Sequence, residues 1–247
     1  MLSEFFFYEA LIVLLAGFIH GSIGFGFPMI ATPLLATFMD LKKAVLYTLL
    51  PSIIVNGSSI TRDNSLLDVW REYKLLIISI VCGSLMGSSL LVYFYSDYYK
   101  LVLAFVVILY LGRGKFKISL APYMEHHRLA VTIIMGLLSG IVGGIANFMI
   151  PVLIILILEL NLEKKRSIGV MNLCFVTNKL IQVLIFGLNG SFNLANLTFI
   201  VPLVLIAFSG FYIGSKIQDK IDEKLYKKVL HGALWVLSFY LIVSTFA

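Results

Sequence analysis

The sequence predicts an all-α polytopic membrane protein with two inverted repeats, each a re-entrant helical hairpin plus three transmembrane helices. Three observations lead to this prediction. The composition is 60% hydrophobic and 13% charged, with a mean hydropathy of +0.99, whereas soluble domains have about 45–50% apolar and about 25% charged residues. The apolar residues form eight long runs. A glycine pattern occurs twice, once in the first run and once in the fifth.

The lengths of the runs separate two kinds of segment. A helix rises about 1.5 Å per residue, so crossing a hydrocarbon core about 30 Å thick takes about 20 residues. Most runs fit one crossing, but the first and the fifth are too long for one helix and too short for two crossings with a turn. The runs cover residues 5–38, 44–60, 73–95, 98–112, 129–158, 167–187, 196–216 and 226–246.

The glycine patterns indicate where the two long runs are interrupted. Glycine and proline leave backbone groups without helical partners, which is tolerated at bilayer depth only where the backbone is buried in protein or lines a cavity. We therefore expect two arms in each run, with breaks at residues 24–28 and 143–147. Pro28 suits the first turn of a new helix, and Asn147 suits a cap. The two patterns are Gly17-x-x-x-Gly21-x-x-Gly24, running on to Pro33, and Gly136-x-x-x-Gly140-x-x-Gly143, running on to Pro151.

The distribution of basic residues favours hairpins over eight single crossings. Cytoplasmic loops of membrane proteins carry an excess of Lys and Arg. Eight crossings would divide these residues 11 to 7 between the two sides, whereas hairpins that enter and leave on one face divide them 15 to 3. The hairpin arrangement places both termini outside. Each half then crosses the membrane three times. Because this number is odd, the second half is inverted relative to the first.

The duplication divides one integral membrane domain into two repeats. Residues 1–122 hold the hairpin 5–38 and helices at 44–60, 73–95 and 98–112. Residues 123–247 hold the hairpin 129–158 and helices at 167–187, 196–216 and 226–246. Outside the hairpins, Asn56 matches Asn178, and Gly83-x-x-x-Gly87-Ser88 matches Gly210-x-x-x-Gly214-Ser215.

Breaks in corresponding places of two repeats indicate a binding site near the bilayer midplane. The second arm of each hairpin begins there, and helix N-termini offer free N–H groups and the positive end of a dipole to an anion. We therefore expect a small anionic substrate between the hairpin tips. The predicted substrate-binding residues are Gly24, Phe25, Gly26, Phe27, Pro28, Asn56, Gly143, Gly144, Ile145, Ala146, Asn147, Asn178, Lys179 and Gln182.

Lys179 is the only Lys or Arg that lies within an apolar run and away from its ends. Such a charge is costly in a membrane and is by default a functional hypothesis. We expect Lys179 to face the hairpins and pair with the anion. The alternative is that it snorkels toward a membrane face or pairs with Glu159. Its polar neighbours in the sequence are Asn172, Thr177, Asn178 and Gln182.

Other residues in the runs allow two interpretations. Asn56 and Asn178 would donate hydrogen bonds to the substrate from opposite sides, or would only bridge helices. His20, four residues before the first break, is a candidate for coupling proton movement to transport, although a neutral core histidine is the simpler interpretation. Cys82 and Cys174 have no paired spacing and no clustered His. The sequence therefore predicts no disulfide framework, metal site or cofactor.

The hairpin residues resemble a known family. Gly21-x-x-Gly24-x-Gly26 with Pro33, and Gly140-x-x-Gly143-Gly144 with Pro151, are similar to motifs of the TauE/SafE family of membrane permeases, also called the sulfite exporter or toluenesulfonate uptake permease family. The resemblance covers essentially the whole chain. It implies a secondary carrier of a small anion, often a sulfur oxyanion or organosulfonate, in a bacterial plasma membrane. The chain departs from the family's glycine-richer turns at Phe25, Phe27 and Asn147.

The sequence thus predicts a secondary transporter that works by alternating access and contacts membrane lipid. The alternatives are a non-transporting scaffold or accessory protein and a membrane enzyme that acts on an anionic lipid phosphate. Enzyme chemistry is disfavoured because no Ser–His, paired Asp or zinc-binding His arrangement lies at membrane depth. The net charge of +6 comes from basic residues in short loops, which is a membrane pattern and not the footprint of nucleic acid.

Overall fold

The computed structural model describes residues 6–63, 66–116, 121–160 and 162–217, together with residues 235, 239 and 243. These ranges contain nine helices and no strand. The predicted helix at 226–246 lies outside the described residues except at those three positions. The helices are α1 Phe6–Ile23, α2 Phe27–Leu35, α3 Leu41–Asp63, α4 Leu66–Tyr93, α5 Tyr99–Phe116, α6 Ala121–Ala146, α7 Ile150–Glu159, α8 Lys164–Leu188 and α9 Leu194–Lys216.

Five of the described helices are long and apolar enough to cross a membrane. They provide the spans Phe6–Ile23, Asp68–Tyr93, His126–Ala146, Lys165–Leu188 and Leu194–Lys216. The chain is therefore a multi-pass membrane protein, as its composition predicts. The helix α3 has 23 residues but is less apolar than these five. Charged residues stand at both of its ends, Lys42 and Lys43 at one and Arg62 and Asp63 at the other. Between them lies a stripe of buried polar side chains, which consists of Thr48, Ser52, Asn56 and Ser59.

The first long run is broken at Gly24–Gly26, within the predicted interval. Gly24 and Gly26 have φ values of 91° and 110°, a left-handed region that glycine adopts without the Cβ clash of other residues. Pro28 then lies in the first turn of α2, where its missing N–H removes no helical hydrogen bond. The chain thus stops one helix and starts a shorter one inside an apolar segment.

The second break begins at Asn147, the last residue of the predicted interval, and extends to Met149. Gly143, Gly144, Ile145 and Ala146 are all within α6, and the helix stops at Asn147, whose φ is 58°. Asparagine adopts this left-handed conformation more readily than other non-glycine residues. Gly144 instead serves packing, because a Cβ there would lie 2.6 Å from the amide nitrogen of Ser88.

A consistent offset relates the two breaks. Asn147 follows Gly24 by 123 residues, and Pro151 follows Pro28 by the same number. The glycine match in the sequence has an offset of 119, and its pairing of Pro33 with Pro151 has one of 118. The register of this match is therefore in error by about one helical turn. The error arose because glycines recur every four residues in α6, and spacing alone does not distinguish a packing glycine from one that opens the helix.

Glycines bring two pairs of helices into backbone contact. A Cβ on Gly21 of α1 would lie 2.8 Å from the amide nitrogen of Ser215 in α9, and one on Gly140 of α6 would lie 2.8 Å from that of Ser84 in α4. Small residues that let backbones approach this closely are typical of helix packing in lipid. Each pair joins one helix from each half of the chain.

Contacts at the helix ends show the directions of α3 and α8 relative to α4. Lys42 Nζ, at the start of α3, donates to the carbonyl oxygen of Val92, at the end of α4, over 2.8 Å. Arg166, at the start of α8, forms an ion pair with Glu72, near the start of α4. The helices α3 and α8 therefore run in opposite directions where they pack against each other.

Candidate functional site

Lys179 has no exposed surface and lies in the interior of the protein on α8. Its Nζ donates to three side-chain amide oxygens: Asn147 Oδ1, Asn178 Oδ1 at 3.1 Å and Gln182 Oε1 at 2.6 Å. An ammonium group has three donors and no acceptor, so this arrangement satisfies the protonated form completely. These partners are neutral, and the side chain points inward and does not snorkel to a membrane face.

Asn147 connects the second break to both halves of the chain. Its Nδ2 donates to Thr32 Oγ1 of α2 at 3.0 Å and to Thr48 Oγ1 of α3 at 2.9 Å. The two threonine hydroxyls are 3.1 Å apart and share a further hydrogen bond. With the bond from Lys179, the side chain that interrupts the α6–α7 segment is held by three other helices.

Gln182 and Asn178 extend this network along α8. Gln182 Nε2 donates to the carbonyl oxygens of Gly143 at 3.2 Å and Gly144 at 3.0 Å, which lie in the last turn of α6. Asn178 Nδ2 donates to Ser84 Oγ of α4 at 2.8 Å. The network therefore unites six of the predicted residues. Ile145 and Ala146 are buried beside it, as apolar parts of α6.

His20 closes the first break. Its Nδ1 accepts from the backbone N–H of Phe27 at 3.2 Å, and its Nε2 lies 2.9 Å from Ser59 Oγ. A ring nitrogen that accepts from an amide carries no proton, so we assign the neutral tautomer with the proton on Nε2. The ring thereby provides a partner for the first N–H of α2, and it is fully buried.

The remaining residues of the first break face α8 and the protein interior. Asn172 Nδ2 donates to the carbonyl oxygen of Gly24 at 2.7 Å, which ties the break to α8. Gly26, Phe27 and Pro28 are buried, while Phe25 is partly exposed. The structure thus brings one set of predicted residues to Lys179 and a second set to His20 and Asn172.

The amide nitrogen of Asn56, which the sequence predicts as a donor to the substrate, is bonded within its own helix. Asn56 Nδ2 donates to the carbonyl oxygen of Ser52 at 2.6 Å, and Asn56 Oδ1 has no hydrogen-bond partner among the described residues. The free atom is therefore an acceptor. The sequence interpretation missed Thr32, Thr48, Ser52, Ser59 and Ser84, although the four-residue spacing from Thr48 to Ser52 to Asn56 marks a polar face on α3.

Within the described ranges, no three His, Cys, Asp or Glu side chains lie together as metal ligands. The side chains gathered at the two breaks are instead amides, hydroxyls, one lysine amine and one imidazole. The profile of the sulfite exporter TauE/SafE family matches residues 9–241, nearly the whole chain. No curated protein and no solved structure gives a significant match. The chain therefore belongs to the sulfite exporter TauE/SafE family, whose members are membrane transporters and not enzymes.

Proposed function

We propose that the protein is a secondary transporter of a small sulfur oxyanion or organosulfonate that works by alternating access between two re-entrant hairpins. The observation that carries this proposal is Lys179 Nζ, which is fully buried and bonded to three neutral amide oxygens, the partners that suit its protonated form. A buried charge without a countercharge is unfavourable. A small anion that enters the site supplies the missing negative charge.

The anion displaces one of the neutral partners of Lys179. A sulfite or sulfonate oxygen forms a charge-assisted hydrogen bond with Nζ, which is stronger than the bond to a neutral amide because both groups are ionised. Of the three partners, only Asn147 lies at a helix break, where the backbone can move more easily than within a helix. We expect the anion to replace the Asn147 amide oxygen at Nζ. The start of α7, three residues later, offers the positive end of a helix dipole to the same anion.

Several features support two hairpins of opposite orientation. The breaks at Gly24 and Asn147 differ by 123 residues, α3 and α8 run in opposite directions, and the hairpin arrangement divides the basic loop residues 15 to 3. Tyr8 of α1 stacks on Phe38 beyond α2, with ring centroids 6.1 Å apart, so the entry and exit of the first hairpin are adjacent. Inverted hairpins of this kind hold substrate near the midplane in other transporter folds.

The close helix pairs supply the moving parts. The glycine contacts make α1 with α9, and α4 with α6, two tightly packed units. The polar faces of α3 and α8 lie between these units. Rocking of one unit against the other opens the Lys179 site first to one side of the membrane and then to the other.

The test compares two lysine variants in proteoliposomes that contain the purified protein. Uptake and binding of radiolabelled sulfite should be lost in Lys179→Ala and retained in Lys100→Ala, because Lys100 is a loop-side lysine at the start of α5. Equal sulfite binding in both variants contradicts the site. Binding without flux in the unmodified protein contradicts transport and favours the scaffold alternative.

A further inference from the structure

Three buried oxygen atoms near the first break have no hydrogen-bond partner among the described residues. They are Ser52 Oγ, Asn56 Oδ1 and Asn172 Oδ1. Each belongs to a side chain with no exposed surface. Buried polar atoms are almost always paired in proteins, so three such oxygens in one region indicate a ligand that is not part of the chain.

The register of α3 against α8 places the two asparagines at the same depth. Thr48 and Lys179 are level, since both bind Asn147. The two helices are antiparallel, so a step toward the C-terminus of α3 and a step toward the N-terminus of α8 go in the same direction. From Thr48 to Asn56 and from Lys179 to Asn172 this distance is about 11 Å in each helix. Asn56 and Asn172 are therefore level with each other.

The first break lies at this depth as well. Asn172 binds the carbonyl oxygen of Gly24. Ser59, one turn beyond Asn56, binds His20, which precedes the break by four residues. Ser52 is one turn before Asn56 on the same face of α3. Asn56 and Asn172 thus lie at the depth of the first break, about two helical turns from the level of Lys179, and Ser52 lies one turn nearer to that level.

The orientation of both amides is fixed by their donors. Asn56 Nδ2 is bonded to the carbonyl oxygen of Ser52, and Asn172 Nδ2 is bonded to those of Gly24 and Ile168. Their oxygens are therefore the free atoms. Two amide oxygens and a hydroxyl are hard, neutral ligands, which suit a metal cation and do not accept a proton at physiological pH.

We propose that Ser52, Asn56 and Asn172 bind Na⁺ and that this ion is coupled to the anion at Lys179. The proposal rests on the proposed transport function. A neutral set of oxygens fits a monovalent ion, whereas Ca²⁺ and Mg²⁺ sites usually include carboxylates. No step requires a titratable group at this second site.

Electrostatics make the two sites interdependent. Opposite charges about 10 Å apart, at an effective dielectric constant of about 20, change a binding constant by roughly tenfold. The Lys179 ammonium repels Na⁺ until an anion neutralises it, and the bound Na⁺ then attracts the anion. By linkage, each ligand strengthens the other by the same factor.

The experiment measures sulfite affinity by calorimetry in Na⁺, K⁺ and N-methylglucamine buffers at equal chloride concentration. We expect sulfite to bind about tenfold more tightly in Na⁺, the factor that this charge separation gives. The variants Ser52→Ala and Asn56→Leu should lose this difference and keep sulfite binding in Na⁺-free buffer. The matched control is Ser58→Ala, because the Ser58 hydroxyl of the same helix donates to the carbonyl oxygen of Ile54.

A second readout separates this proposal from the anion site. Na⁺ should raise the thermal midpoint of the unmodified protein and of Lys179→Ala without any sulfite, but not that of Ser52→Ala. Failure of Lys179→Ala to lose sulfite binding would contradict only the proposed function. Equal thermal midpoints in Na⁺ and K⁺, or a Na⁺ effect that survives in both α3 variants, would overturn the cation site.

Discussion

Replacing Asn147 with aspartate tests whether Lys179 provides the charge that holds an anion. Aspartate keeps the size and shape of asparagine and places a carboxylate in hydrogen-bond contact with Lys179 Nζ, where the amide oxygen now accepts. Opposite charges about 4 Å apart attract by about 4 kcal/mol at an effective dielectric constant of about 20, which is roughly a thousandfold in a binding constant. We expect Asn147→Asp to lower sulfite affinity by about two to three orders of magnitude.

The fold should survive this substitution. The oxygen that replaces Nδ2 would lie near Thr32 Oγ1 and Thr48 Oγ1, which are 3.0 and 2.9 Å from that nitrogen. Threonine hydroxyls rotate and can donate to a carboxylate. The new carboxylate therefore has a hydrogen bond from Lys179, and a threonine hydroxyl that turns to it gives up the hydrogen bond that it donates now.

The assay is calorimetric titration of sulfite into purified protein, with the thermal midpoint in detergent as the check on folding. Asn189→Asp is the matched control, because Asn189 is an exposed C-cap residue of α8. This control should bind sulfite like the unmodified protein. A folded Asn147→Asp protein with unchanged sulfite affinity would refute the assignment of Lys179 as the anion's partner.

Three further predictions concern packing and the first break. Gly144→Ala should lower the free energy of unfolding by about 1–3 kcal/mol, because its Cβ would lie 2.6 Å from the amide nitrogen of Ser88. The control Gly57→Ala should leave the free energy of unfolding unchanged, because its Cβ meets no atom within 4 Å. Steric-trapping measurements compare the two variants. His20→Ala should cost about 1–3 kcal/mol in the same assay, since the Phe27 N–H loses its partner, whereas the exposed His126→Ala should leave stability unchanged. Arg166→Ala should change it by less than about 1 kcal/mol, because its ion pair with Glu72 is exposed; a larger loss would show that this pair anchors α8.

The sequence predicts the first break better than the second, and the reason is chemical. Gly24 and Gly26 interrupt a helix, and their sequence context already indicates this. Two glycines shortly before Pro28 are typical of a chain that ends one helix and begins another. In α6 the conspicuous glycines are packing residues, and the interruption is made by Asn147, a residue with several common roles. Only the conformation of its backbone distinguishes these roles.

The prediction of Lys179 rested on the high cost of a charge in an apolar run, which is visible in one sequence. Its partners Asn178 and Gln182 can also be predicted from the sequence, because they lie within one helical turn of Lys179. Thr32, Thr48 and Ser84 come from distant helices, and a hydroxyl in an apolar helix usually bonds to its own backbone. Their part in the site depends on tertiary register, which spacing along one chain does not contain.

The pairing of α1 with α9 has a consequence for biosynthesis. Gly17 is in backbone contact with Ala207, so the first helix meets its partner only after about 190 more residues are made. At 5–20 residues per second this takes roughly 10–40 seconds. During that interval the glycine face of α1 is exposed to lipid or to an insertion factor. Neither half of the chain can complete its packing alone, and two separately expressed halves should become stable only when they are produced in the same cell.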